Sequence, residues 1–150
     1  VYYTLNLQFS SHLRKSSTIS CINSEGEIDV QLKKFSPLFF GLYQEQLLSG
    51  VVSVCQTDDD EFRLRGICIA AEFRNYGLSN ALIKTAIKHI LQQNSNSIIW
   101  TLAREANLNF YSHFGFEEYK RVTNFEYGPH IILKNISPQN TLARLMKVQT

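Results

Sequence analysis

The chain has 150 residues, of which 44% are hydrophobic and 12% aromatic, and it contains no low-complexity stretch or internal repeat. These properties are typical of one ordered globular unit, so we expect residues 1–150 to form a single domain. Fifteen Lys and Arg against thirteen Asp and Glu leave a net charge of only +2. This balance argues against a dedicated nucleic-acid binder.

The sequence does not indicate a membrane span, an export signal or a metal motif. No segment approaches the roughly 18 uninterrupted apolar residues of a spanning helix, and residues 1–9 lack a basic start followed by an apolar run. Cys21, Cys55 and Cys68 are widely spaced and odd in number, and the four histidines form no metal-binding motif. We therefore expect a cytoplasmic protein with reduced cysteines and no bound metal.

The N-terminal third gives weaker patterns than the rest of the chain. Residues 3–9 indicate an edge strand, residues 11–17 a helical turn and residues 20–29 a polar loop. Two β-patterned segments follow at residues 38–43 and 48–55, with a short polar turn between them. We expect these two segments to pair as a hairpin.

In the middle of the chain the pattern changes from a β to a helical period. Residues 57–60 break the strand pattern, and residues 62–70 resume it as a third antiparallel strand. From Leu78 the apolar residues follow one helical face to about Asn94, and residues 98–103 form an apolar run that suits a buried strand. This order of elements predicts a right-handed crossover between two parallel strands.

The last third contains short elements. Residues 105–114 indicate a helix that ends at Gly115, and residues 117–125 and 130–134 indicate two closing strands. Residues 141–146 can form a short amphipathic helix.

The junction between the third strand and the long helix has the chemistry of an anion site. The first turn of a helix leaves backbone N–H groups without partners and carries a partial positive charge. Gly77 lets a ligand approach this backbone closely, and Arg74 adds a full charge. The sequence therefore predicts a phosphate-binding turn here.

Three short motifs follow one another along the chain. Residues 74–79 read Arg, two residues, Gly, one residue and Ser; residues 110–116 hold an aromatic pair followed by Gly and an aromatic; residues 129–130 are a Pro-His pair before the last strand. Together they resemble the GNAT superfamily of acetyl-coenzyme A (acetyl-CoA) dependent N-acetyltransferases. The resemblance covers residues 14–134.

This resemblance implies an α/β (α+β mixed) fold: a central twisted mixed sheet of six to seven strands, mostly antiparallel with a splayed parallel pair at its centre, flanked by helices. It implies transfer of acetyl from acetyl-CoA to a primary amine of a small molecule or peptide by direct attack. The implied partners are these two substrates, without nucleic acid or membrane, in a monomer or homodimer. The alternative is a noncatalytic CoA-binding module that kept the cleft and lost turnover.

The resemblance also implies roles for individual residues. Tyr111 is expected to protonate the departing sulfur, although a tyrosine that only packs within its helix is the other interpretation. The backbone of Ile67, Cys68 and Ile69 is expected to bind the pantetheine chain, and Gly66 to mark a bulge that opens the gap. The expected diphosphate contacts are Arg74, Asn75, Tyr76, Gly77, Leu78, Ser79 and Asn80, and Asn107 either contacts the pantetheine arm or replaces a structural alanine.

The acceptor side is less defined. Arg65 and Arg104 could bind a substrate carboxylate, or they could neutralise structural carboxylates. His130, in the Pro-His pair, has an intrinsic pKa suited to proton transfer, although histidines are often structural. We assign all three residues to the acceptor site.

Overall fold

The computed structural model describes residues 2–8, 38–44, 47–123 and 128–147. Within these residues, seven strands form one sheet in the order β1-β2-β3-β4-β5-β7-β6. The strands are β1 (Tyr2–Gln8), β2 (Leu38–Gln44), β3 (Leu47–Asp58), β4 (Glu61–Ile69), β5 (Ile98–Arg104), β6 (Glu117–Val122) and β7 (His130–Asn135). The helices are α1 (Leu78–Gln93), α2 (Leu108–His113) and α3 (Pro138–Lys147), with 3-10 turns at Ala71–Phe73 and Glu105–Asn107.

The sheet has the predicted mixed topology. β4 and β5 are parallel, and every other neighbouring pair is antiparallel. α1 connects the two parallel strands, as the change of period at Leu78 indicates. The predicted fold class is thereby confirmed. The predicted helical turn at residues 11–17 and the loop at residues 20–29 lie outside the described residues.

The two parallel strands diverge soon after they meet. They pair only between Glu61–Arg63 and Ile98–Trp100, although both strands continue well beyond these residues. On its other side, β4 bulges against β3, because Gly66 and Ile67 together oppose the single residue Val52. The bulge predicted at Gly66 is therefore present, and it lies just beyond Arg63, the last residue of β4 that pairs with β5.

Helix α1 supplies much of the core. Leu82, Ile83, Ala86 and Ile90 are fully buried, at the spacing of one helical face. The backbone N–H of Asn94 bonds to the Ile90 carbonyl and ends the helix at the predicted residue.

The pairing register of β4, β5 and β7 shows which of their residues lie on the same face of the sheet. Phe62 and Ile99 are paired and buried in the same core cluster as α1, and Thr101 and Leu133 share that face by alternation. Arg63, Trp100 and Lys134 pair on the opposite face, which therefore carries charged side chains.

Some element bounds differ from the predictions. β3 continues to Asp58, because Thr57 Oγ1 donates to the Glu61 carbonyl and accepts a hydrogen bond from Trp100 Nε1 at 2.9 Å. Only Asp59 and Asp60 form the turn. α3 begins at Pro138, three residues earlier than predicted, and its Met146 is exposed.

Two further findings concern the described residues. Cys55 is buried and Cys68 is half-buried, and Cys21 lies outside that part of the chain. Of the three described helices, none has the length and apolar character needed to cross a membrane.

Candidate active site

A cleft of about 540 Å³ opens where β4 and β5 diverge. This volume is in the range of small-molecule sites. β4 and the turn after it form one wall, the start of α1 the end, and the segment from Asn107 to Tyr111 the other wall. Its lining residues are Ile67, Cys68, Ile69, Phe73, Arg74, Asn75, Gly77, Leu78, Ser79, Asn107, Phe110 and Tyr111.

The turn before α1 adopts a left-handed conformation at two positions. Asn75 has φ 69° and Gly77 has φ 72°. Asn tolerates this region better than most residues, and Gly enters it without steric cost. A Cβ at Gly77 would meet no atom within 4 Å, so within the protein the backbone conformation, rather than lack of space, explains the glycine.

The N-terminus of α1 carries a partial positive charge that its own first turn does not neutralise. No side chain caps it and its first turn contains no acidic residue. Arg74 folds back over the turn, and its Nε donates to the Ile69 carbonyl at 2.9 Å. Partial positive charge from the helix and a full charge from Arg74 therefore meet at the end of the cleft.

Tyr111 faces this turn from α2, and the end of that helix fixes its backbone. The Phe116 N–H bonds to the Tyr111 carbonyl at 3.2 Å and the Gly115 N–H to the Ser112 carbonyl at 3.0 Å, the paired bonds of a Schellman motif. The Tyr111 and Phe116 rings meet edge to face with centroids 5.6 Å apart. Both backbone and ring of Tyr111 are thus held in place.

The Tyr111 hydroxyl lies in a dry environment. The residue is only 8% exposed. Burial raises the pKa of its phenol above the ordinary value of 10.0, and a hydrogen bond with the Thr101 side chain offsets this in part. The phenol is therefore protonated at neutral pH.

The structure brings most of the predicted cofactor residues together and leaves some apart. All line the cleft except Tyr76, which is 70% exposed on the turn, and Asn80, whose N–H bonds back to the Gly77 carbonyl.

The three predicted acceptor residues lie outside the cleft lining. Arg104 pairs with His130 across β5 and β7, on the face opposite Thr101, and Arg65 lies on that same face of β4. His130 is buried, with Nδ1 2.8 Å from the Gly128 carbonyl. Because a carbonyl only accepts, this contact requires a proton on Nδ1.

Two aromatic residues of the cleft were not predicted as site residues. Phe110 belongs to the aromatic pair, so its motif position was a usable signal, and its ring contacts those of Tyr111 and Phe114 with centroids 5.0 and 5.1 Å away. Phe73 precedes Arg74 directly, but nothing in the spacing distinguishes it from a core residue.

The arrangement defines a class: a mixed-sheet protein with a splayed parallel pair, an uncapped helix start and a buried phenol facing it. The model of the GNAT acetyltransferase domain family matches residues 36–118, more than half of the chain. The chain belongs to this family, which is a family of acyl-transferring enzymes. Sequence comparison with curated proteins finds no match.

Solved structures share the fold at low sequence identity. A GNAT family acetyltransferase from Elizabethkingia anophelis with acetyl-CoA bound has a TM-score of 0.75 at 16% identity, covering 89% of this chain and 96% of that one. ElaA of Escherichia coli has a TM-score of 0.71 at 13% identity, covering 90% and 99%. An acyl-CoA N-acyltransferase from Pseudomonas aeruginosa has a TM-score of 0.69 at 12% identity, covering 90% and 98%.

Proposed function

We propose that this protein transfers the acetyl group of acetyl-CoA to a primary amine by direct attack, with Tyr111 as the general acid. The observation that carries the proposal is the cleft itself. It joins a strand edge, an uncapped helix N-terminus and a buried phenol in one continuous space. These three features match an elongated ligand with an amide-bearing arm, a diphosphate and a thioester.

The edge of β4 suits the amide-bearing arm. Beyond Arg63 this strand has no pairing with β5, so the backbone groups directed into the gap can bond a ligand as they would a neighbouring strand. Ile67, Cys68 and Ile69 occupy this stretch and line the cleft. The bulge at Gly66 supports the proposal because it lies directly before this stretch, and bulges bend the strand that contains them.

The turn before α1 suits the diphosphate. Backbone amides at the start of α1 lie at the end of the cleft without a capping side chain. Arg74 is anchored through Nε to the Ile69 carbonyl, and its two terminal nitrogens can bind phosphate oxygens. We propose Asn75, Gly77, Leu78 and Ser79 as the surrounding contacts, with Tyr76 and Asn80 at the margin.

The reaction needs a neutral amine and a leaving sulfur that receives a proton. When bound, acetyl-CoA supplies the acetyl thioester; a carbon–nitrogen bond forms and the carbon–sulfur bond breaks. Tyr111 is protonated at neutral pH because burial raises the pKa of its phenol, so it holds a proton to give. Its hydrogen bond with Thr101 orients the hydroxyl.

We propose that the amine enters from the opposite face of the sheet. Beyond Arg63 and Trp100, no pairing between β4 and β5 separates the two faces of the sheet in the described part of the chain. Arg65, Arg104 and His130 lie on that opposite face. Their position supports acceptor-binding roles, and the Nδ1 contact with the Gly128 carbonyl fixes the orientation of the His130 ring.

A two-part assay tests the activity. Acetyl-CoA should raise the melting temperature of the folded chain by linkage, and a panel of small amines and peptide N-termini should include at least one that releases free CoA thiol. Binding without thiol release for any amine would favour the noncatalytic module. Absence of both binding and release would refute the cleft assignment itself.

The role of Tyr111 is tested by Tyr111→Phe, with Tyr119→Phe as the matched control. Both changes remove one phenolic hydroxyl, but Tyr119 is exposed and outside the cleft lining. General acids typically contribute about 10²–10⁴-fold, so Tyr111→Phe should lower kcat by about 10²-fold or more and leave acetyl-CoA affinity unchanged. Equal kcat for both variants across the pH range would remove the acid role.

A further inference from the structure

Helix α2, which holds Tyr111, cannot be stable by itself. It has six residues, whereas isolated helices shorter than about 12–15 residues are marginal in water. Its carbonyl groups at the C-terminal end also need partners outside the helix. The Schellman bonds satisfy the carbonyls of Tyr111 and Ser112. The carbonyls of the next two residues, His113 and Phe114, remain to be satisfied.

Side chains from β7 and α3 satisfy these two carbonyls. Asn135 Nδ2 donates to the Phe114 carbonyl at 2.9 Å, and Thr141 Oγ1 donates to it at 3.1 Å. Asn135 Nδ2 also donates to Thr141 Oγ1 at 2.8 Å. On the exposed side, Arg144 donates to the His113 carbonyl. We call these three side chains, Asn135, Thr141 and Arg144, the α2 cap.

Two members of the α2 cap, Asn135 and Thr141, are buried, whereas Arg144 is exposed. Asn135 and Thr141 are 1% and 4% exposed, and Asn135 Oδ1 also accepts the Ser137 N–H just before α3 at 3.0 Å. A Cβ at Gly115 would lie 2.5 Å from Thr141 Oγ1, so the approach of Thr141 depends on a glycine there. Such a dry, fully bonded network specifies one geometry.

We propose that the α2 cap positions Tyr111 for proton transfer, so that Thr141, on the C-terminal helix, is a positioning residue of the active site. This inference rests on the proposed function of Tyr111. Thr141 acts through the carbonyl of Phe114, three residues after the tyrosine, and it is not among the residues that line the cleft. Helix α3 also packs against α1. The C-terminal helix therefore contacts both the helix that carries Tyr111 and the helix whose start closes the cleft.

The test compares Thr141→Val, Thr141→Ser and a matched control, Thr85→Val. Valine replaces the hydroxyl by a methyl group of similar size, and serine keeps the hydroxyl. Thr85 Oγ1 also donates to a helix carbonyl, that of Ala81 at 2.9 Å, but on α1 and away from Tyr111. Acetyl-CoA affinity is measured by calorimetry, and turnover with the amine that releases thiol fastest.

Thr141→Val should lower kcat by about tenfold while the acetyl-CoA Kd stays unchanged, because small misplacements of a reacting group cost rate rather than affinity. Thr141→Ser and Thr85→Val should keep wild-type kcat. Wild-type kcat in a folded Thr141→Val protein, or equal losses in Thr85→Val, would overturn the proposal. If Thr141→Val does not fold, Arg144→Gln, at the exposed end of the cap, should show a smaller loss of the same kind.

A second measurement needs no activity. The ¹³C resonance of the Tyr111 ring carbon that bears the hydroxyl can be assigned by its loss in Tyr111→Phe and then titrated with pH. Thr141→Val should let water reach the phenol and move its titration midpoint down towards that of an exposed tyrosine, whereas Thr141→Ser should not. An unchanged midpoint in Thr141→Val refutes the positioning role even in an inactive protein. Absent acetyl-CoA binding or thiol release in the wild type refutes only the proposed function.

Discussion

At Gly50, strands β3 and β4 and helix α1 pack closely against one another. It lies in β3 opposite Ile69 of β4, over the N-terminal half of α1. A Cβ built on it would be 2.7 Å from Ile69 Cδ1 and 2.9 Å from Leu82 Cδ1. Carbon atoms prefer about 3.5–4.0 Å, so Gly50→Ala creates two overlaps of well over half an ångström.

The cost can be worked from these contacts. Overpacking a core typically costs about 1–3 kcal/mol, and the lower chain entropy of unfolded alanine returns about 0.4–1 kcal/mol. We expect Gly50→Ala to lose about 1–2 kcal/mol of unfolding free energy. At about 2–4 °C per kcal/mol for a chain of this size, the melting temperature should fall by about 2–8 °C. Because Ile69 lines the cleft, acetyl-CoA should also bind less tightly.

Urea unfolding followed through Trp100, the single tryptophan, measures the loss. The control is a double-mutant cycle with Ile69→Val, which removes the Cδ1 atom nearest to the new methyl group. The two changes should couple favourably by at least about 0.5 kcal/mol, as for residues in contact. A Gly50→Ala protein as stable as the wild type, or a cycle with no coupling, would refute this account of Gly50.

Three further predictions concern the cleft. Ser53→Ala removes the 2.8 Å hydrogen bond from Ser53 Oγ to the Arg65 carbonyl beside the bulge; it should cost about 1 kcal/mol in urea unfolding, and Ser53→Thr, which keeps the hydroxyl, should not. Gly77→Ala should lose about 1–2 kcal/mol because its φ of 72° disfavours a Cβ; a neutral effect in thermal melts would contradict that reason. Since burial raises the pKa of Tyr111, the folded state holds this proton more tightly than the unfolded state. Its contribution is fully present below the ordinary pKa and is lost as pH rises from about 10 through the folded value, so unfolding curves of Tyr111→Phe should show less alkaline destabilisation than the wild type.

The sequence predicted the central elements because local signals and tertiary packing agree there. α1 was bounded at both ends, since its apolar period starts at Leu78 and stops at Asn94, where the structure also ends the helix. The bulge followed from a glycine within a strand pattern. The extension of β3 to Asp58 was missed because polar residues 56–58 are held by pairing with β4 and by Trp100, which lies far away in sequence.

Part of the candidate site could also be predicted from local sequence, and part could not. The turn at residues 74–79 and Tyr111 belong to short motifs that indicate their chemistry, and most of these residues line one cleft. The α2 cap was not predictable. Asn135, Thr141 and Phe114 meet only through the fold, and an Asn at a strand end or a Thr in a short helix has no local feature that marks it as a cap. Asn135 and Thr141 act as caps because the fold places their side chains beside the Phe114 carbonyl.

Only three residue pairs join strands β1–β4 to strands β5–β7, whereas the other described neighbours share five to seven pairs. A sheet opens locally where the fewest backbone hydrogen bonds hold neighbouring strands together. Amide hydrogen exchange should therefore show two cooperative units that separate at the β4–β5 junction. A ligand seated in the gap contacts both units and resists their separation. Occupancy of the cleft should therefore slow exchange in strands that the ligand never touches.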